Sequence, residues 1–267
     1  MKMITVNNLD FSYEAASVLS GIDLSLEKGR FYSILGPNGS GKTTLLKNLQ
    51  KVLRADQNCV YINGKDITSI SVKELSKRLA VVPQETRMDF DFSVLDMVLM
   101  GRSPYLKRFE TESRSDLELA EKAMMITDTW RLKDRSVRSI SGGELQRAIV
   151  SRAMVQDTEI LLLDEPVSHL DIHHQIGILK TVSGFSKSRE ITVVAVLHDL
   201  NLAIEFSDSV ILLNHGEIKA MGSPEEVITE ERIREIYKMN CMIIRNPSSG
   251  KPHVIPTEIS KQGGSYE

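Results

Sequence analysis

Residues 36 to 43 read GPNGSGKT, a match to GxxxxGK[ST] between the apolar run RFYSILG and the helically spaced TTLLKNLQKVL. Glycines at this spacing let backbone amides curl around phosphate oxygens, with Lys42 bridging the outer phosphates and the Thr43 hydroxyl on magnesium. Such a loop needs a carboxylate for the metal at the end of a neighbouring strand. Ile160 to Leu163, followed by Asp164 and Glu165, supplies one. Asp164 is expected to hold magnesium through its water shell, and Glu165 to orient and deprotonate an attacking water.

A second anion site is announced by ISGGELQRAIVSRAMV, residues 140 to 155. Ser141 and Glu144 have capping-box spacing, and Gly142 and Gly143 occupy the first turn. Glycine in a helix costs roughly 1 kcal/mol against alanine, so the pair predicts a close approach to the backbone. Helix-start amides favour an anion, which the spacing alone does not identify. His169 and His173, spaced i, i+4 with His174 beside them, raise a metal site, but no third acidic ligand completes a zinc-protease pattern.

The elements around these motifs alternate. Ile4, Val6, Leu9, Phe11 and Tyr13 read as strands, 57 to 63 as a strand ending in an Asn63–Gly64 turn, and Ser71 with Glu74 as a capping box for a short helix that leads to the strand LAVV. From about 86 to 155 helices take over: Ser93 precedes one, Ser115 with Glu118 opens another along Leu117, Ala120 and Met124, and the SGGE helix closes the insertion. Strands return at 160–163, 191–197 and 209–213 with helices between, the alternation of a parallel sheet under helical cover. Ser223, Pro224 and Glu226 then cap a late helix.

A net charge of −3, with both signs interspersed, announces no polyanion surface, so nucleic acid is not an expected partner. The two cysteines, Cys59 and Cys241, stand in no metal or disulfide pattern, which fits a reducing, cytosolic compartment. The start lacks the apolar core of a signal peptide, and no apolar run approaches the ~20 residues of a membrane span. The final ten or so residues, within a Pro-, Gly- and Ser-richer ending, read as a loose tail.

Together these residues resemble the nucleotide-binding subunit of ABC transporters: SGGEL at 141 to 145 is similar to that family's signature, with Glu144 where glutamine is more frequent. The resemblance implies an α/β fold: a P-loop NTPase, RecA-like core with a mostly parallel sheet, an N-terminal antiparallel β subdomain and an inserted α-helical subdomain at about 86–155. The ATP-binding domain would cover 1–240, and 241–267 would be a C-terminal extension. The cofactors implied are ATP and Mg2+. Gly36, Pro37, Asn38, Gly39, Ser40 and Gly41 would form the nucleotide loop, with Lys42, Thr43 and Thr44 opening its helix. The second anion becomes the γ-phosphate of an ATP held by another copy of the chain, which Ser141, Gly142, Gly143 and Glu144 complete in a head-to-tail dimer. Tyr13 matches the aromatic that stacks on adenine, and Gln84 the glutamine that reaches magnesium and water and senses membrane subunits. SHLD at 168 to 171 resembles the loop that communicates across the dimer, with Asp171 also able to cap the next helix. His198 matches the histidine on the γ-phosphate.

No membrane domain is fused, and 85 to 140 is too short for a long coiled coil and lacks cysteines for a zinc module. GRSPYLKRF, LDIHHQIGIL and NPSSGKPHVIP resemble importer subunits for ferric siderophores, haem or cobalamin. Molybdate or metal-ion importers are the alternatives, and a free-standing P-loop ATPase or kinase is the reading from another class. The importer reading implies two separate membrane permease subunits, an indirectly linked substrate-binding protein and a peripheral place on the cytoplasmic face of the inner membrane. It also predicts an apolar patch around Leu95, Met97, Leu99, Tyr105 and Leu106, unless these form the insertion's own core.

Overall fold

The computed structural model describes residues 1–14, 16–53, 55–84, 90–168 and 170–259. Strands β1 (Lys2–Tyr13) and β2 (Ala16–Glu27) pair antiparallel. β3 (Phe31–Leu35) leads through the phosphate loop into α1 (Lys42–Leu49). The strand expected over 57–63 is confined to β4 (Val60–Ile62), which turns at Asn63 and Gly64 into β5 (Lys65–Asp66). Both turn residues have positive φ, as a two-residue type I′ hairpin requires. β4 adds to the other edge of β1, completing a four-stranded antiparallel sheet.

After α2 (Val72–Leu75) and β6 (Leu79–Val82) come three helices, α3 (Val94–Leu99), α4 (Arg114–Ile126) and α5 (Gly142–Val155). α4 begins earlier than Ser115 and Glu118 suggest, because Ser113 and Asp116 form its capping box. That register buries Asp116 against Arg102, Nε to Oδ1 2.7 Å, and leaves Glu118 outside with Arg114. Leu117 therefore faces solvent, whereas Ala120 and Met124 are buried. Met97 and Leu99 are buried too, and the Tyr105 hydroxyl donates to the Gln156 carbonyl at 3.0 Å. The insertion's own packing claims these residues, correcting the expectation of an exposed patch.

The remaining chain runs β7 (Ile160–Asp164), α6 (Ile172–Arg189), β8 (Thr192–Val196), α7 (Leu200–Phe206), β9 (Ser209–Asn214) and β10 (Glu217–Gly222). Then come α8 (Pro224–Val227), α9 (Glu230–Tyr237) and the antiparallel hairpin β11 (Met239–Arg245) and β12 (Pro252–Ile259). The main sheet has the order β10-β9-β3-β8-β7-β6, parallel except for the edge strand β10. β3, β7 and β8 are buried along their whole length, as parallel strands covered on both faces must be. Alternate residues divide between two cores: Phe31, Leu161 and Leu163 pack with the helices, and Tyr32, Ile160 and Leu162 with α1 and the antiparallel sheet. No helix among the described residues is long and apolar enough to cross a membrane. Of the ending expected to be loose, β12 extends through Ile259, and 260–267 lie outside the described residues.

Candidate functional site

β3 is the switch point of the parallel sheet, since its neighbours β8 and β9 both come later in the chain, and ligands bind beyond the carboxyl ends of strands at such points. Gly36 begins the loop there. A Cβ on it would lie 2.0 Å from the Leu213 carbonyl oxygen, so only glycine lets the chain leave β3 this closely beside β9. α1 starts at Gly41 with no side-chain cap and no acid in its first turn, which leaves its amides directed at an anion. Lys42 is buried, and its Nζ donates to the carbonyls of Gly36 and Pro37, both at 2.9 Å. Burial lowers its pKa, and the Glu165 and Asp164 carboxylates work in the opposite direction.

The Thr43 hydroxyl donates to Asp164 Oδ1 at 3.2 Å. The expectation that Asp164 ends a strand neighbouring β3 is corrected: β8 lies between β3 and β7, so the first turn of α1 crosses the end of β8 to reach Asp164. Burial raises the Asp164 pKa, countered first by the Thr43 hydroxyl. Two hard oxygens side by side, one of them a buried carboxylate, are a donor set that suits magnesium, which offsets the cost of burying that charge.

Glu165 follows with φ 49, the left-handed region that is strained for a residue with a Cβ, at a cost of about 1–3 kcal/mol. The turn aims its carboxylate between two partners. His198 Nε2 lies 2.6 Å from Oε1, and Gln84 Nε2 donates to Oε2 at 2.7 Å. Gln84 thus meets the carboxylate of Glu165 rather than the Thr43–Asp164 pair. Lys42, Thr43, Glu165 and His198 line one cleft of ≈ 430 Å³ together with Asn38 and Gly39. Val18 lines it too and was missed; its only sequence signal is its place on the strand paired with that of Tyr13. Tyr13 itself stands outside that lining, exposed at the β1–β2 turn with its ring edge-on to Phe11 at 5.0 Å.

α5 carries both bonds of its capping box: Ser141 accepts from the Glu144 amide, and Glu144 Oε2 accepts from the Ser141 amide at 3.0 Å. The Ser141 backbone bond holds the Glu144 carboxyl below its usual range, its hydroxyl and Arg131 adding to that. Glutamine closes the same box, which is why glutamate is a mild departure here. The two glycines differ. A Cβ on Gly143 would lie 2.9 Å from His174 Cδ2, whereas one on exposed Gly142 would meet nothing within 4 Å. One packs against its own chain, and the other is open to an outside group.

Asp171 caps α6, accepting from the His174 amide at 3.0 Å and lying 2.7 Å from His174 Nδ1. His169 lies outside the described residues. Ligand atoms of Asp171, His173 and His174 come within 4.8 Å of one another. That carboxylate is engaged in capping, and the positive end of α6 disfavours a cation, so the group reads as a cap.

These features converge with what the chain is similar to. The sequence profile described as ABC transporter matches residues 19–168. The chain belongs to the ABC transporter family. The cassette is 38% identical to the ferric enterobactin transport ATP-binding protein FepC of Escherichia coli, over 93% of this chain and 92% of that protein. It is 34% identical to the petrobactin import ATP-binding protein FpuD of Bacillus anthracis, over 96% and 93%. A solved transporter assigned to the metal-chelate type, in an inward-facing conformation, superposes with a TM-score of 0.84 at 29% identity, over 96% of this chain and 98% of its own. The reaction of the cassette is ATP hydrolysis.

Proposed function

We propose that this cassette energises import of a ferric siderophore through two separate permease subunits, working as a head-to-tail pair on the cytoplasmic face of the membrane. The similarity to siderophore importers along almost the whole chain carries this reading. Lys42 and the loop amides bind the phosphates of ATP, and Thr43 and Asp164 would hold Mg2+, which would supply charge neutralisation for the phosphates. Glu165 orients and deprotonates water, with His198 and Gln84 directing its carboxylate. The open face of Gly142 receives the γ-phosphate of the partner copy's ATP, so binding energy closes the pair and hydrolysis reopens it.

A groove of ≈ 360 Å³ supports docking; Val52, Val72, Leu75, Val81, Met100 and Arg152 line it. Val52 and Val72 are 67% and 70% exposed there, apolar surface suited to a short permease helix. The test is Lys42→Ala in the native cell, with uptake of labelled ferric siderophore, haem and cobalamin measured side by side and paralogous systems deleted. Loss of siderophore uptake alone is expected. Loss of haem or cobalamin uptake instead moves the cargo to that class, and persistence of all three overturns the reading.

A further inference from the structure

The C-terminal hairpin is remote in sequence from the nucleotide residues, yet it grips at both ends the helix that leaves His198. Asp199 caps α7, accepting from the amides of Asn201 at 2.7 Å and Leu202 at 2.9 Å. The Asn201 side chain then pairs with β12 as a strand residue would. Its Nδ2 donates to the Val254 carbonyl at 3.1 Å, and its Oδ1 accepts from the Val254 amide at 2.8 Å. At the other end of α7, Lys251 Nζ donates to the carbonyls of Ile204 at 3.1 Å and Glu205 at 2.5 Å. Val254 and Cys241 of the hairpin are buried in one core with Leu202 and Ala203 of α7.

We propose that the C-terminal hairpin is a positioning element for hydrolysis: by fixing α7 it sets the His198 imidazole against the Glu165 carboxylate. α7 has seven residues, too few to hold a direction by itself. Asn201 lies three positions after His198 and is tied to Asp199 on one side and to Val254 on the other. Displacing catalytic groups by about 1 Å costs up to ~10²-fold in rate. Lys42 and the loop amides are untouched by such a shift, so binding of ATP is conserved while turnover falls.

The inference rests on the ATPase reading and on the place of His198 in it, and a mutant cycle separates the two. Full-length His198→Ala, Asn201→Ala and the double variant are compared for kcat and KM with ATP and Mg2+. Asn201→Ala is expected to lower kcat by about 10- to 100-fold with KM within about twofold, and to add nothing in the His198→Ala background. Asn201→Asp, which keeps the acceptor for the Val254 amide, should recover part of the rate. If Asn201→Ala does not fold, Lys251→Met loosens the far end of α7 and is read in the same cycle. A slow His198→Ala with Asn201→Ala at the parent rate, or a full further loss in the double variant, overturns the positioning role and leaves the ATPase reading standing. A His198→Ala variant at the parent rate removes His198 from the reaction, and the positioning role falls with it.

Discussion

Gly142 and Gly143 make the strongest contrast available for testing the dimer reading, because one methyl group at each has opposite physical consequences. At Gly142 a Cβ meets no atom within 4 Å, so alanine gains up to about 1 kcal/mol of helix propensity at no steric cost. For a chain of this size that is a rise of roughly 2–4 °C in Tm. At Gly143 the new Cβ lies 2.9 Å from His174 Cδ2, and the ring is tethered by the 2.7 Å contact of Nδ1 with Asp171. Overpacking of that kind costs about 1–3 kcal/mol, so Tm falls. Activity should not follow stability. Gly142→Ala places its methyl where the phosphate of the partner copy must approach the helix amides, and loss of one such anion contact lowers turnover by about 10²–10³-fold. Calorimetry of the isolated chain and ATPase assays with its permease read the two quantities separately. A Gly142→Ala variant that is more stable and hydrolyses at the parent rate would refute the assignment of this helix start to the second nucleotide.

Glu165→Gln should bind ATP normally, trap the closed pair and slow hydrolysis by about 10²–10⁴-fold, the range for losing a general base; single-turnover assays check this. Val72→Asp in the groove should abolish co-purification with the permease while the free subunit hydrolyses ATP as before. Asp116→Asn should cost about 3 kcal/mol in denaturant melts, since it leaves the Arg102 guanidinium buried without its charge partner. The Ser113 hydroxyl first, and then Arg102, holds the Asp116 carboxyl below its usual value. Its stabilisation is therefore present above the unfolded carboxylate pKa of about 3.9 and is lost as pH falls through the lower folded value. Asp116→Asn should flatten that acid limb of the stability profile.

What the sequence made legible follows from how local each feature is. The phosphate loop, the Asp164–Glu165 step and the SGGE cap are contiguous, and each needs its residue types at fixed spacing, so reading them required no tertiary knowledge. The alternation of strands at 160–163, 191–197 and 209–213 with helices between them likewise announced a covered parallel sheet. Strand order was not legible: nothing in ILLLDE says that β8 will insert between β7 and β3. The start of α4 was misplaced because two capping boxes compete two residues apart, and burial of Asp116 on Arg102, a long-range event, decides between them. Val18 and Asn201 carry no motif, and their importance comes only from the strands and helix that the fold brings beside them.

The arrangement around Glu165 bears on how docking and hydrolysis communicate. Its two carboxylate oxygens are held by different partners, Oε2 by Gln84 and Oε1 by His198. Gln84 lies three residues beyond Val81 of β6, an edge strand of the sheet and a wall of the groove. His198 leaves β8, two strands away, and is tied through α7 to the C-terminal hairpin. A carboxylate has about four lone-pair sites, so both bonds leave room for water, but they fix the direction in which that water can be held. The two supports differ in stiffness. The helix that follows His198 is anchored in the buried core, whereas Gln84 hangs from an edge strand that borders the open groove. On the docking reading proposed above, a permease helix seated in the groove would reach the base by its shortest route through Gln84, with His198 as the reference against which that movement is registered.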